Sequence, residues 1–129
     1  MEKQIINSSH APAPIGPYNQ AVEFNHMIFI SGQIALIPGT NTLNMDSIEL
    51  ETKQVLDNLN AILHEAGLSF ANIVKTSIFL SDMNLFGTVN GIYETYFESD
   101  YPARETVQVA GLPRGVNVEI SAIAVRNLA

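Results

Sequence analysis

The chain has 129 residues, a formal net charge of −7 and no cysteine. This length predicts a single domain over residues 1–129, and the absence of cysteine excludes disulfides, thiol catalysis and thiolate metal sites. The six Lys and Arg residues are scattered along the chain, which argues against nucleic-acid binding because a phosphate backbone requires clustered cations.

The spacing of apolar residues predicts six strands and two helices. In chain order these are a short extended segment at 3–7, strands at 20–24 and 27–34, a helix at 46–66, a strand at 73–81, a helix at 84–97, and strands at 105–110 and 116–125. Asn25 and His26 form a two-residue hairpin turn between the second and third strands. Asp46 and Glu49 resemble a capping box at the start of the first helix, and Gly67 ends that helix.

Simple alternation assigns faces to the strands. It places Ile28, Ile30, Gly32 and Ile34 together on one strand, and Val74, Thr76, Ile78 and Leu80 together on another. Two helices cannot cover both faces of a six-stranded sheet, so we expect them to pack on the same face.

The last strand has one face formed by Val118, Ile120, Ala122 and Ala124 and another formed by Glu119, Ser121, Ile123 and Val125. The second face is half apolar, whereas a face in contact with water is usually polar. Hydrophobic residues make up 47% of the chain, and this also favours self-association. We infer that another copy of the chain buries the uncovered face.

Neither end of the chain nor its middle suggests a membrane segment. The N-terminal ten residues lack the apolar core of a signal peptide. The longest run without Asp, Glu, Lys or Arg, residues 24–45, is interrupted by Pro38 and Gly39, which indicates a strand and loops rather than a membrane span. We therefore expect a cytoplasmic protein with no membrane partner.

Arg104 and Glu119 are the strongest candidates for chemistry. Arg104 follows a Pro and an Ala at the start of an apolar strand, where a guanidinium can bind a carboxylate through two hydrogen bonds. It is also compatible with a surface Arg that pairs weakly with Glu105 or Glu98. Glu119 lies within an apolar strand, and its alternative is an interfacial pair with a cation or a backbone amide.

Other polar residues interrupt apolar elements. Tyr18 is either a site residue or a core-edge Tyr with its hydroxyl in water. The Ser31-Gly32 pair marks a bulge or strand end, or a place where a ligand approaches the backbone. Asn90 lies on the second predicted helix and is either a site residue or an ordinary solvent-exposed helix residue. The three histidines lack ligand-like spacing, so no metal site is predicted, and no phosphate-binding or dinucleotide-binding motif is present.

Four segments together resemble the RidA family, also called the YjgF family. They are APAPIGPYNQAV at 11–22, ISGQI at 30–34, VNGIYETYF at 89–97 and YPARETVQVAGLPRGVNVEISAIAV at 101–125. The resemblance covers essentially the whole chain. It implies a chorismate-mutase-like α+β fold, with two helices on one face of a six-stranded mixed sheet, assembled as a homotrimer with ligand clefts between subunits.

The resemblance also implies an activity that needs no cofactor. This is the hydrolytic deamination of reactive 2-imino acids, such as 2-iminobutanoate and 2-iminopropanoate, to 2-oxo acids and ammonia. The family's carboxylate-binding Arg falls on Arg104, and its water-associated Glu falls on Glu119. Its remaining substrate-binding positions fall on Tyr18, Ser31, Gly32 and Asn90.

Thr106 departs from the family pattern, because many relatives carry a Cys at this position. A thiol is therefore not required in this chain, while the backbone of Thr106 is still able to contact a substrate. Two other classes of function remain open. One is an endoribonuclease or translation inhibitor, which the acidic charge opposes. The other is a non-catalytic binder of small carboxylates, or a holdase that uses exposed apolar surface.

Overall fold

A computed structural model of the chain describes residues 2–127. It contains six strands and two α-helices: β1 (Gln4–Ile6), β2 (Ala21–Phe24), β3 (Met27–Gln33), α1 (Ile48–Glu65), β4 (Ile73–Leu80), α2 (Phe86–Glu94), β5 (Ala103–Gln108) and β6 (Val118–Val125). The strands form one sheet in the order β1-β2-β3-β6-β4-β5. β4 and β5 are parallel and all other neighbours are antiparallel, so the predicted α+β fold with a mixed sheet is confirmed.

Both helices pack on one face of this sheet, as predicted. The apolar stripe of α1 is fully buried and includes Val55, Leu59 and Ile62. It belongs to the same core cluster as Ile120 of β6 and Val89 of α2. Among the described residues, no helix is both long enough and apolar enough to cross a membrane.

The N-cap of α1 is Ser47 and not the predicted Asp46, and the helix begins at the next residue, Ile48. Ser47 has extended backbone angles and its hydroxyl accepts a hydrogen bond from the Leu50 amide at 3.1 Å. The predicted capping box of Asp46 and Glu49 is therefore wrong, because the Ser47 hydroxyl occupies the capping position. The predicted end is confirmed by Gly67, whose φ of 75° favours glycine.

The second helix is shorter than the predicted 84–97. A 3₁₀ turn at Met83–Leu85 precedes it, and the Asp82 carboxylate caps this turn by accepting from the Asn84 amide at 2.9 Å. After Glu94 the chain continues in turns. The helix therefore provides only nine residues, and these hold the side chains that approach β5.

Two β-bulges overturn the simple alternation of faces. A register shift between Ile30 and Gln33 leaves Gln33 buried and Gly32 exposed, so Gly32 does not share the face of Ile28 and Ile30. A second shift next to Val74 leaves that side chain 47% exposed. In each case the extra residue reverses the parity of the strand.

The hairpin turn lies where the sequence predicts it, whereas the last two strands begin at other residues than predicted. Asn25 and His26 have φ values of 53° and 66°, as a two-residue turn of this kind requires, so that prediction is confirmed. β5 runs over Ala103–Gln108 instead of 105–110, which puts Arg104 inside the strand. β6 begins at Val118 rather than at residue 116.

The side of the sheet that faces away from the helices, here called the open face, combines apolar and charged groups. Phe29 is 41% exposed and Val107 is also exposed. Lys75 and Glu105 form an ion pair at 3.0 Å on this face, and the Ser77 hydroxyl donates to the same carboxylate. Exposed apolar side chains on a regular sheet surface are typical of a contact between protein chains.

Candidate functional site

Arg104 lies on the helix side of the edge strand β5. It is in register with Thr76 of β4, which is fully buried under the helices. Its Nη1 donates to Asn90 Oδ1 at 2.7 Å, and its guanidinium carbon lies 5.0 Å from the ring centre of Tyr93 and 5.5 Å from that of Phe86. An Arg held by one hydrogen bond and two aromatic rings has lost much of its freedom before any ligand binds.

The support for Arg104 extends into the core. Tyr93 is buried and its hydroxyl shares a hydrogen bond of 2.7 Å with the Thr76 hydroxyl. Burial raises the pKa of Tyr93 above its ordinary value, so this residue is a neutral phenol that fixes the position of its ring. The ring in turn fixes the plane of the guanidinium.

Arg104 has no carboxylate partner among residues 2–127. Glu105 is instead paired with Lys75 on the open face, and Glu98 forms no ion pair within the same residues. The alternative in which Arg104 is a weakly paired surface cation is therefore wrong. A half-buried cation without a counter-ion attracts small anions.

Arg104 lines a cavity of about 450 Å³. Its walls are Asn90, Tyr93, Glu94, Tyr101, Pro102 and Arg104. We call it the Arg104 cavity. It offers one cation, one carboxylate and aromatic surface to a small molecule.

Glu119 lies on the open face, in register with Phe79 of β4. The carboxyl is half-buried, and burial raises its pKa above the ordinary glutamate value. It packs directly against Gly32, where a Cβ atom would lie only 2.6 Å from Oε2. The bulge therefore places the backbone of Gly32, which has no side chain, directly against the carboxyl of Glu119.

Ser31 and Tyr18 lie on the same side of the sheet as Glu119. The Ser31 hydroxyl donates to the carbonyl of Asn19 at 2.7 Å, and the Tyr18 hydroxyl accepts from the Ile15 amide at 3.4 Å. Tyr18 is 51% exposed, and with Ser31 it lines an open cavity of about 460 Å³. Tyr18, Ser31, Gly32 and Glu119 are called the Glu119 group below.

The predicted residues thus form two clusters on opposite faces of the sheet. Arg104 is level with position 76 of β4 and Glu119 is level with position 79, and positions of opposite parity point to opposite faces. Asn90 joins Arg104, whereas the Glu119 group lies across the sheet. One protomer therefore does not bring Arg104 and Glu119 together.

Thr106 shares the helix-side face of β5 with Arg104, because it is in register with Ile78. Its hydroxyl is buried and has no hydrogen-bond partner among the described residues. Buried polar atoms are usually paired, so this hydroxyl is an unsatisfied group close to the Arg104 cavity along the strand.

Sequence reasoning missed the aromatic support of Arg104. Phe86, Asn90 and Tyr93 follow one another at i, i+4 and i+7 on α2, which places them on one face of a helix. That spacing is visible in the sequence and is the signal that could have placed the two rings and the amide on one helix face. Among residues 2–127, no group of three His, Asp or Glu side chains is arranged to hold a metal ion.

Comparison with known proteins gives consistent matches across nearly the whole chain. The family model described as Endoribonuclease L-PSP matches residues 8–126. A protein of Mus musculus named 2-iminobutanoate/2-iminopropanoate deaminase is 52% identical over 124 residues, which are 96% of this chain and 92% of the mouse protein. RutC family protein slr0709 of Synechocystis is 52% identical over 97% of this chain and 98% of its own length.

Solved structures agree with the sequence matches. The structure of E. coli TdcF with bound serine superposes with a TM-score of 0.92 at 42% identity, and covers 96% of this chain and 99% of TdcF. The structure of the YjgF gene product of E. coli superposes with a TM-score of 0.91 at 45% identity, with the same two coverages. The chain therefore belongs to the RidA (YjgF) family, whose family model carries the description Endoribonuclease L-PSP.

Proposed function

We propose that this protein hydrolyses 2-imino acids, with 2-iminobutanoate and 2-iminopropanoate as substrates, to 2-oxo acids and ammonia. The observation that carries the proposal is the guanidinium of Arg104, which is fixed by Asn90 and Tyr93, lines a cavity and has no counter-ion among residues 2–127. Relatives that are 46% to 52% identical bear the name of this activity. The TdcF structure contains serine, which also carries a carboxylate.

We propose further that the active site lies between protomers of a homotrimer. Arg104 and Glu119 are on opposite faces of one sheet, so a substrate that contacts both must receive them from different chains. The apolar side chains of the open face favour such an assembly. In it, Arg104 of one protomer faces the Glu119 group of the next.

Arg104 has the geometry to bind the substrate carboxylate through two parallel N–H groups, while Asn90 holds Nη1 from behind. The backbone of Thr106 on the same strand face is a second contact for the substrate. The rings of Tyr93 and Tyr101 enclose the short alkyl group. These contacts orient the C=N carbon toward the neighbouring protomer.

The chemical step is the addition of water to the C=N carbon. A C–O bond forms and the π bond to nitrogen breaks, giving a carbinolamine. The C–N bond then breaks, the carbonyl forms, and nitrogen leaves as ammonia with both hydrogens of the water. Glu119 orients the water and accepts its proton, and a pKa raised by burial makes it a stronger base than an ordinary glutamate. Tyr18 and the Ser31-Gly32 backbone complete this side of the cleft.

The test couples a threonine dehydratase, which releases 2-iminobutanoate, to the purified protein, with semicarbazide present to trap imine that escapes hydrolysis. Arg104→Ala should lose about 2–4 kcal/mol of transition-state stabilisation, or roughly 30- to 1,000-fold in rate. Arg126→Ala is the matched control, since Arg126 is paired with Glu23. Near-normal activity in folded Arg104→Ala would refute the assignment.

The shared site has a separate test. Arg104→Ala and Glu119→Ala protomers, each inactive alone, are unfolded together and refolded as a mixture. A mixed trimer then contains one cleft with both native groups, so a 1:1 mixture should recover about a quarter of native activity. No recovery from protomers that do mix, or a monomer mass by light scattering, would contradict a site between subunits.

The family description favours a second candidate, an endoribonuclease. The net charge of −7 works against it, because RNA binding is dominated by contacts to phosphate. RNA cleavage that co-purifies with the protein and is lost in Arg104→Ala would support this candidate. Binding of 2-oxobutanoate without acceleration of imine hydrolysis would instead indicate a carboxylate-binding protein.

A further inference from the structure

The Arg104 cavity contains one carboxylate that the proposed mechanism does not use. Glu94 is exposed and lines this cavity with Tyr93 and Tyr101. It lies four residues after Asn90 on α2, so it projects from the same helix face about one turn further along. Because Asn90 is bonded to Arg104, Glu94 marks the part of the cavity beyond the carboxylate-binding position.

Glu94 has no counter-ion in the part of the chain that the structure describes. It forms no ion pair with a cation among residues 2–127, and in particular it lies beyond 4.0 Å from Arg104. The other walls of the cavity are an amide, two tyrosines and a proline. The wall that residues 2–127 of one protomer give to this cavity therefore has a single cation. On this wall, a substrate whose carboxylate binds Arg104 extends the rest of the molecule along neutral surface and Glu94.

We propose that Glu94 makes this site selective for 2-imino acids with neutral side chains and rejects those that carry a second carboxylate. The inference rests on the proposed deaminase function and specifies its substrate class. On the wall formed by residues 2–127 of this protomer, a second carboxylate would find no further cation, and it would approach the charge of Glu94. In a partly solvated cleft, repulsion between two like charges that line the same small cavity reduces binding by a factor of about five to ten.

The direct experiment compares two imines that differ in charge but scarcely in size. L-amino-acid oxidase acting on glutamine releases an imine with a neutral side chain, and L-glutamate oxidase releases 2-iminoglutarate, whose side chain is a carboxylate. Competition with semicarbazide measures how fast the protein hydrolyses each one. We expect the native protein to prefer the glutamine imine, and Glu94→Gln to raise the relative rate on 2-iminoglutarate about five-fold.

Glu98→Gln is the matched control. It removes the same charge from the same part of the chain, but Glu98 lines a different cavity, together with Phe70 and Asp100. The inference requires that this control leave the preference between the two imines unchanged. An unchanged preference in Glu94→Gln, or the same change in both variants, would overturn it.

A binding measurement separates this inference from the deaminase assignment. Calorimetric titration with 2-oxopentanoate and 2-oxoglutarate requires no turnover and compares a neutral with a charged side chain of similar length. If no imine is hydrolysed but Glu94→Gln still strengthens binding of 2-oxoglutarate selectively, the selectivity stands and the proposed reaction fails. If imines are hydrolysed but neither rates nor affinities respond to Glu94, the reaction stands and the selectivity fails.

Discussion

Adding one methyl group at Gly32 tests the role of Glu119 without altering Glu119 itself. A Cβ at this position would lie 2.6 Å from Oε2, 2.9 Å from the carboxyl carbon and 3.0 Å from Cγ of Glu119. Gly32 does not have a positive φ, so alanine fits the backbone. The obstacle is therefore the end of one flexible side chain, and Gly32→Ala should fold.

The size of the effect follows from these distances. Ordinary contact begins at about 3.4 Å, so the carboxylate must retreat by about 0.8 Å (3.4 − 2.6). Misplacement of a reacting group by about 1 Å costs up to roughly a hundred-fold in rate. We expect Gly32→Ala to lose about ten- to a hundred-fold in kcat/KM for 2-iminobutanoate, with little loss of stability.

The assay is the dehydratase-coupled measurement, with circular dichroism and thermal melting to verify folding. Gly111→Ala is the control, because a Cβ there meets nothing within 4 Å and its φ is not positive. The decisive comparison uses Glu119→Ala, which removes the group that the methyl displaces. Gly32→Ala should cost nothing further in that background, since the two changes act on one interaction.

Two outcomes would refute this reasoning. Full activity in folded Gly32→Ala would mean that the position of the Glu119 carboxyl does not matter to the reaction. Losses that multiply in the double variant would mean that Gly32 acts on the substrate independently of Glu119, for example by direct contact between its backbone and the ligand.

Three further predictions concern charge and assembly. Burial raises the pKa of Glu119, so its contribution to folded-state stability is lost as the pH rises through that pKa. Glu119→Gln removes the charge that burial disfavours and should therefore raise the melting temperature at neutral pH. The same variant should lower the rate of deamination at least about ten-fold. Two hydrogen bonds from Arg126 lower the pKa of Glu23. Arg126→Ala should therefore lower the free energy of unfolding, measured in urea at pH 7, by up to about 1 kcal/mol. This difference between the native protein and the variant should vanish as acid protonates Glu23. Phe29→Asp on the open face should reduce the mass measured by light scattering from that of the proposed trimer to that of one protomer, with unchanged circular dichroism.

The parts of the fold that depend on local pattern could be predicted from the sequence. The apolar spacing of α1, including Val55, Leu59 and Ile62, follows directly from helical geometry. The Asn25-His26 turn follows from the backbone angles that a two-residue hairpin needs. The helix cap did not follow, because Asp46 and Ser47 are adjacent residues of the types that cap helices, and only the backbone geometry selects Ser47.

The faces of the strands were harder to predict, because a bulge leaves little trace in the sequence. One extra residue near Gly32 exchanges the two faces for the remainder of β3. The Ser31-Gly32-Gln33 segment was compatible with a bulge or with a strand end, and only the pairing of β3 with β6 distinguishes the two. The same pairing creates the contact between Gly32 and Glu119, which no local pattern could indicate.

Arg104 and Glu119 lie on opposite faces of the sheet because they are aligned with positions of opposite parity on one strand. This has a consequence for function. Arg104 and Glu119 are aligned with positions 76 and 79 of the same strand, which differ by an odd number. No change of side-chain rotamer can bring residues on opposite faces of a sheet to one small substrate. If both residues act on one imine, each protomer is therefore inactive alone, and the apolar open face and the catalytic step depend on the same association.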